Sequence, residues 1–444
     1  MKRAALCLTL AAAAAARAEP PPSPDTAPQH ETPLHDAAPQ QPPATEQPAA
    51  GAPGAAPQQT PGPTPAEQEA LAKALAADAA AAAQKAPAPA TSALPSALTR
   101  AFQSLNPDIS AILDFAGGWY QHPIPTSGDD PASTGLNLQE LELAFQATVD
   151  PYFRADVFLT IPNAQGIEVE EAFLTTTSLP WSLQLRAGIF RAAFGRENTQ
   201  HLHLQDFTRR PELNVLLLGP DGLRAPGVEL SWLAPLPFYL LLTGELLSVP
   251  ASDDPTVANT FGGGSRADFT YLANARTFIP VTDNTSALFG LSFATGKTFH
   301  ANDPVLSNHT SRLYGADLYV KWKPPNVAES YMTLAWTTEF MLREVPDFAT
   351  LPGQSPLDGA LYSQLAWQVS RRIILAARGE IDGLPASALI GREYAGSGAL
   401  TLVLSEFARA RIYFEGRFPT GGPENLIAFL QLEAAIGAHG AHPY

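Results

Sequence analysis

After its first 18 residues the chain has no apolar run long enough to cross a membrane as a helix, which takes about 20 consecutive apolar residues. It does carry about sixteen segments of roughly 9 to 14 residues in which apolar and polar side chains alternate, the length a tilted membrane strand needs. Leu141, Leu143, Phe145, Ala147 and Val149 alternate with Glu140, Glu142, Ala144, Gln146 and Thr148. Met332, Leu334, Trp336 and Phe340 stand against Thr333, Thr337 and Glu339, and Ala410, Ile412 and Phe414 against Arg409, Arg411, Tyr413 and Glu415. A period of two puts successive side chains on opposite faces of a strand, so each segment has one face for apolar surroundings and one for water. A soluble β-sandwich alternates as well.

The connections separate the two folds. Tight links at 150–151, 179–181, 234–237, 280–284, 324–329, 370–372 and 405–407 take turns with long ones at 120–135, 191–225, 249–266, 298–311, 344–358, 383–391 and 418–424; only 162–166 is short where a long one is due. Short turns at one end and long loops at the other are the rhythm of an outer-membrane barrel, and closure leaves no unpaired backbone edge in lipid. Trp119, Trp181, Trp232, Trp322 and Trp367 fall near strand ends, where an interfacial girdle would hold them. The fold expected over residues 106–444 is therefore all-β, a transmembrane antiparallel β-barrel of about 16 strands.

The chain ahead of the barrel has another character. Lys2 and Arg3, an apolar run from Ala4 to Ala16 and the Ala16-Arg17-Ala18 triplet form a signal peptide over residues 1–18, so the chain is exported. Cys7, the only cysteine, lies within it. Between Glu19 and Pro65 stand 15 of the 43 prolines with almost no large apolar side chain, which makes that segment a disordered linker. Thr64, Pro65 and Glu67 are the start signals of an Ala-rich helix over 66–86. With only Leu71 and Leu75 for a seam, this helix reads as a periplasmic arm, with self-association or a peptidoglycan contact as the alternatives, and a second linker covers 87–105.

After Arg100 the chain holds 35 acidic against 21 basic residues, a balance that argues against nucleic acid or an anionic membrane surface and favours cations along an aqueous path. No serine, histidine and acid cluster stands out to suggest an enzyme, and no cofactor motif is present. The chemistry concentrates instead in the long connection at 191–225. Arg191, Arg196, Arg209, Arg210 and Arg224 accompany Glu197, Asp206 and Glu212 there. Opposed charges across a narrow opening set its size and ion preference; the same residues would also serve to pin a loop to a wall. His201 and His203 are spaced so that an extended backbone puts both imidazoles on one side. They suit either ordinary hydrogen bonds or a Zn²⁺ or Cu²⁺ site, the latter needing further ligands such as His300, His309, His439 or His442.

The strand rhythm from Ile109 onward, the stretch LRAGIFRAAFGREN at Leu185–Asn198 and the long third loop resemble the outer-membrane porins, most nearly the phosphate-selective porin O/P-like group. The resemblance implies passive diffusion of small hydrophilic solutes, an outer-membrane lipid environment, a homotrimer, and a third loop folded inward at 191–225 to narrow the pore. Phosphate selectivity is not carried over, because phosphate-selective members line their path with basic residues and this barrel's only lysines are Lys297, Lys321 and Lys323. The alternatives are a metal- or nutrient-linked uptake barrel and a structural barrel anchoring the arm to the envelope.

Overall fold

The computed structural model describes residues 108–122, 130–131, 133–250, 260–263, 265–298, 309–324, 331–345, 356–385 and 390–437. The signal peptide, the Pro-rich linker, the Ala-rich helix at 66–86, the linker at 87–105 and His300, His439 and His442 lie outside the described residues.

Sixteen strands follow one another: β1 (Asp108–Tyr120), β2 (Gly135–Thr148), β3 (Phe153–Thr160), β4 (Glu168–Thr176), β5 (Leu183–Arg191), β6 (Arg224–Leu233), β7 (Tyr239–Leu247) and β8 (Thr270–Thr282). The second half holds β9 (Thr285–Thr298), β10 (His309–Trp322), β11 (Thr333–Glu344), β12 (Leu357–Ser370), β13 (Ile373–Pro385), β14 (Glu393–Ser405), β15 (Ala408–Pro419) and β16 (Asn425–Gly437). Each pairs antiparallel with its sequence neighbours, and β1 pairs with β16 from Ser110↔Gly437 to Tyr120↔Ile427, closing the barrel. The expected strand number and closure are thus observed. One link departs from the rhythm, since residues 323–332 between β10 and β11 form a longer connection than the other turns at that end. Short links have local causes: at the β2–β3 turn the Asp150 carboxylate accepts the N–H groups of Tyr152 and Phe153 at 2.7 and 2.8 Å, which fixes the Asp-Pro turn.

The two faces separate as the alternation requires. On β15 Arg411, Tyr413, Glu415 and Arg417 are buried inside while Ile412 and Phe414 stand exposed outside, and on β11 Thr337, Glu339 and Arg343 turn in while Leu334 and Trp336 turn out. An apolar exterior around a polar interior suits lipid outside. Trp181, Trp232, Trp322 and Trp367 lie at the turn end and Trp119 at the loop end.

Two interruptions of the period matter for what lies inside. The register shifts between Asp114 and Phe115 against β2, whose Gln139 is the extra residue, and between Phe158 and Leu159 against β4, whose Glu170 is the extra residue. A β-bulge of this kind re-aims a side chain. Here consecutive residues that should face opposite ways, Gln139 with Glu140 and Glu170 with Glu171, are all buried.

The connection between β5 and β6 runs inside the barrel as residues 192–223, Arg191 and Arg224 being strand residues rather than loop residues. Within it α1 (Glu212–Leu218) starts after Pro211 and ends before Gly219. Leu213 and Leu217, one turn apart on one face, are fully buried. They join Phe190, Phe194, Leu247, Leu272 and Leu313 in an apolar core enclosed by the wall. Burial of each such side chain is worth about 1.5 to 3 kcal/mol, so this core stabilises the inward placement of the loop. The water-facing interior that the alternation implies is in this zone a packed one.

Candidate functional site

The loop enters and leaves through a neck tied by one side chain. Asn198 Nδ2 donates to the Ala192 and Leu223 carbonyls at 2.8 and 3.0 Å, and its Oδ1 accepts the Leu223 N–H at 2.8 Å. Gly222 has φ +76°, and a Cβ there would lie 2.4 Å from Asn198 Oδ1, so the neck requires glycine.

Beyond the neck the chain reaches opposite sides of the barrel. Phe194 sits over Gly315 of β10, where a Cβ would come within 2.7 Å of its ring. Gly195, in the left-handed region, turns the backbone so that the Arg196 and Glu197 N–H groups both donate to Glu339 Oε1 of β11 at 2.7 and 2.8 Å. The Arg196 guanidinium lies 3.9 Å above the Tyr319 ring, a cation–π contact. Across the lumen, Gln139 of β2 donates to the Thr208 carbonyl at 3.0 Å and Arg411 of β15 to the Gln205 carbonyl at 2.8 Å.

Arg209 is the densest node. Its guanidinium, 2% exposed, donates to Asp130 Oδ2 at 2.8 Å and to both Glu415 oxygens at 2.9 and 3.0 Å, with Glu212 at 3.5 Å. Burial opposes its charge, but Asp130, Glu415 and Glu212 hold its pKa well above the usual arginine value. Glu212 also pairs with Arg417, and its N–H donates to Glu380 at 2.7 Å. Burial would raise the Glu212 pKa; Arg417 and Arg209 outweigh it and leave it lowered. A depressed carboxylate contributes stability that is present above its unfolded pKa, about 4.3, and lost as pH falls through the folded value. The gap in denaturation midpoint between wild type and Glu212→Gln should therefore be smaller at pH 3 than at pH 7.

The histidines meet wall carboxylates. His201 Nδ1 lies 3.1 Å from Glu142 Oε2 and 3.2 Å from Glu170 Oε2, and its Nε2 2.9 Å from Glu171 Oε2. His203 Nδ1 is 3.3 Å from the same Glu142 oxygen. Burial disfavours the charged imidazole of His201, yet Glu170 and Glu142 raise its pKa well above the ordinary value. Of the further ligands the spacing called for, His309 begins β10, on the other side of the barrel from β2 and β4. Carboxylates from β2 and β4 occupy the positions around the ring instead.

Of the residues singled out in the sequence, Glu197, Arg209 and Arg210 are buried, Arg209 against Glu415 of the wall and Arg210 donating to the Gln200 carbonyl of the loop at 3.2 Å, while Arg196, Asp206 and Glu212 are half-buried. Arg191 is a clamp, donating to Glu170 at 3.0 Å and to the Asp221 carbonyl at 2.5 Å. Among the described residues Arg224 reaches the half-exposed Glu168, at 3.7 Å. Sequence reasoning did not find Asn198, Glu142, Glu170, Glu171 or Glu339. The alternation puts Glu142 and Glu339 on the water-facing side of their strands, and the acidic run Glu168-Val169-Glu170-Glu171, dense for a strand facing lipid, signals Glu170 and Glu171.

No family model matches the chain. An uncharacterized protein of Aquifex aeolicus (strain VF5) is 34% identical over 302 residues, 60% of this chain; the chain spans 62% of that relative's length. Among solved structures, the outer membrane channel DcaP of Acinetobacter baumannii aligns over 74% of this chain and 97% of its own with a TM-score of 0.50 at 10% identity. The anion-selective porin from Comamonas acidovorans covers 74% of this chain and 99% of its own, with a TM-score of 0.49 and 10% identity. At such identities the likeness is one of fold, that of a closed antiparallel β-barrel.

Proposed function

We propose that the chain is a passive outer-membrane channel for small hydrophilic solutes, constricted by residues 192–223 and not anion-selective. The observation that carries this reading is a charged loop folded through the lumen from β2 to β10 and β11. In this reading the loop end faces the exterior, the turn end and the N-terminal arm face the periplasm, and the barrel assembles as a homotrimer as the porin resemblance implies. Arg196, Asp206 and Glu212, the half-buried charges of the loop, line the aqueous path, while Arg191, Glu197, Arg209, Arg210 and Arg224 shape it by fixing the loop. Buried carboxylates outnumber buried guanidinium groups along the inner wall, which supports cations over anions.

Planar-bilayer recording of the purified protein tests this. Discrete conductance steps with a reversal potential favouring cations are expected. An anion-favouring potential would overturn the selectivity, and a silent bilayer would favour the structural envelope-anchoring barrel, for which the fully buried Leu213 and Leu217 of the loop speak.

A further inference from the structure

Glu142 from β2, Glu170 and Glu171 from the bulge of β4, and His201 and His203 from the loop converge from three separate segments of chain. Oxygen atoms of Glu142 and Glu170 and a ring nitrogen of His201 all lie within 4.8 Å of one another, and all three residues are buried. The Glu171 carboxylate accepts from His201 Nε2 at 2.9 Å, which fixes the neutral ring in the tautomer whose lone pair is on Nδ1. Nδ1 then points at two carboxylate oxygens at 3.1 and 3.2 Å, so three electron-pair donors face one another and something positive must sit among them. A proton on Nδ1 is one solution. A metal ion is the other, and the spacing suits it: tetrahedral zinc with bonds of about 2.0 to 2.1 Å has ligand–ligand edges of about 3.3 Å. His203 Nδ1, 3.3 Å from Glu142 Oε2, stands beside this group rather than within it.

Two observations favour a cation heavier than the proton. Among the described residues Glu142 Oε1 is buried with no hydrogen-bond partner, an expensive state for a carboxylate 1% exposed unless it has a ligand to meet. The surrounding shell also has the form that metal sites need: Arg191 holds Glu170 through its other oxygen at 3.0 Å, and the Phe158 ring packs 4.7 Å from the His201 ring. Three carboxylates against one guanidinium leave a deficit of two positive charges when His201 is neutral, which a divalent ion fills and one proton does not.

We propose that Glu142, Glu170 and His201 bind a divalent transition-metal cation of the Zn²⁺ class, with Glu171 orienting His201, so that the metal ties the loop to β2 and β4. The all-nitrogen-and-oxygen donor set, with no thiolate, selects such an ion over soft monovalent copper.

The test uses the full chain in detergent micelles, stripped with EDTA and dialysed against Zn²⁺ alone. One Zn²⁺ per chain is expected, with X-ray absorption giving a shell of nitrogen and oxygen near 2.0 Å. Glu170→Gln and His201→Gln should each weaken binding by at least about tenfold while keeping the barrel's circular dichroism. Wild type that binds no Zn²⁺, or two folded variants that bind it undiminished, would overturn the site. Because the readout is bound metal rather than current, this result stands apart from the outcome of the bilayer recording.

Discussion

Removing residues 199–218 is expected to raise single-channel conductance several-fold and to shift the reversal potential further towards cations. The deleted segment holds the packed core of the constriction, Leu213 and Leu217, together with Arg209, whose charge neutralises the wall at Glu415. It spares the neck, because Asn198 ties Ala192 to Leu223 through bonds that do not involve the removed residues. It also spares the wall, since every strand pairs with its neighbours without help from the loop. What the lumen gains is width, with Glu142 and Glu171 relieved of His201 and Glu415 relieved of Arg209. Width raises conductance for all ions, and uncovered negative charge raises it most for cations. Planar-bilayer recording of the deletion beside wild type reads both quantities; an unchanged conductance would show that the loop does not limit flow.

Arg209→Met should be the most destabilising single substitution in the loop, at about 3 to 5 kcal/mol, because it leaves buried carboxylates without their counter-charge. Asp130 and Glu415 are each 2% exposed at the side chain and each bonded to this guanidinium at 3.0 Å or less. Methionine fills comparable volume, so the loss measures charge rather than a cavity. Adding Glu415→Gln removes one orphaned charge and should recover part of the loss, a coupling that a double-mutant cycle resolves. Guanidinium denaturation of the four proteins in micelles checks it. Losses that simply add would mean that the two residues do not act as a pair.

The wall was legible because it follows from local rules. Lipid outside and a polar interior impose a period of two on each strand, and the need to close the sheet imposes alternating turns and loops, so Ile412, Phe414, Arg411 and Glu415 announce their faces from their order alone. The same rhythm marked out the third loop, whose Arg209 meets Glu415 of the wall.

What the sequence by itself determined about this protein is thus a closed barrel of sixteen antiparallel strands with one long, charged connection between the fifth and sixth. Only the tertiary structure decided where that connection goes and what it meets. Its contacts join residues far apart in the chain, Arg196 to Glu339 or Arg209 to Glu415, and no local pattern records such pairs. The bulges at Gln139 and Glu170 break the very period on which strand reading depends, so an alternating pattern cannot say that Glu170 and Glu171 both turn inward to His201. The helix Glu212–Leu218 buries its leucines against the inner wall, because a wide barrel leaves room that a polar lining alone does not fill.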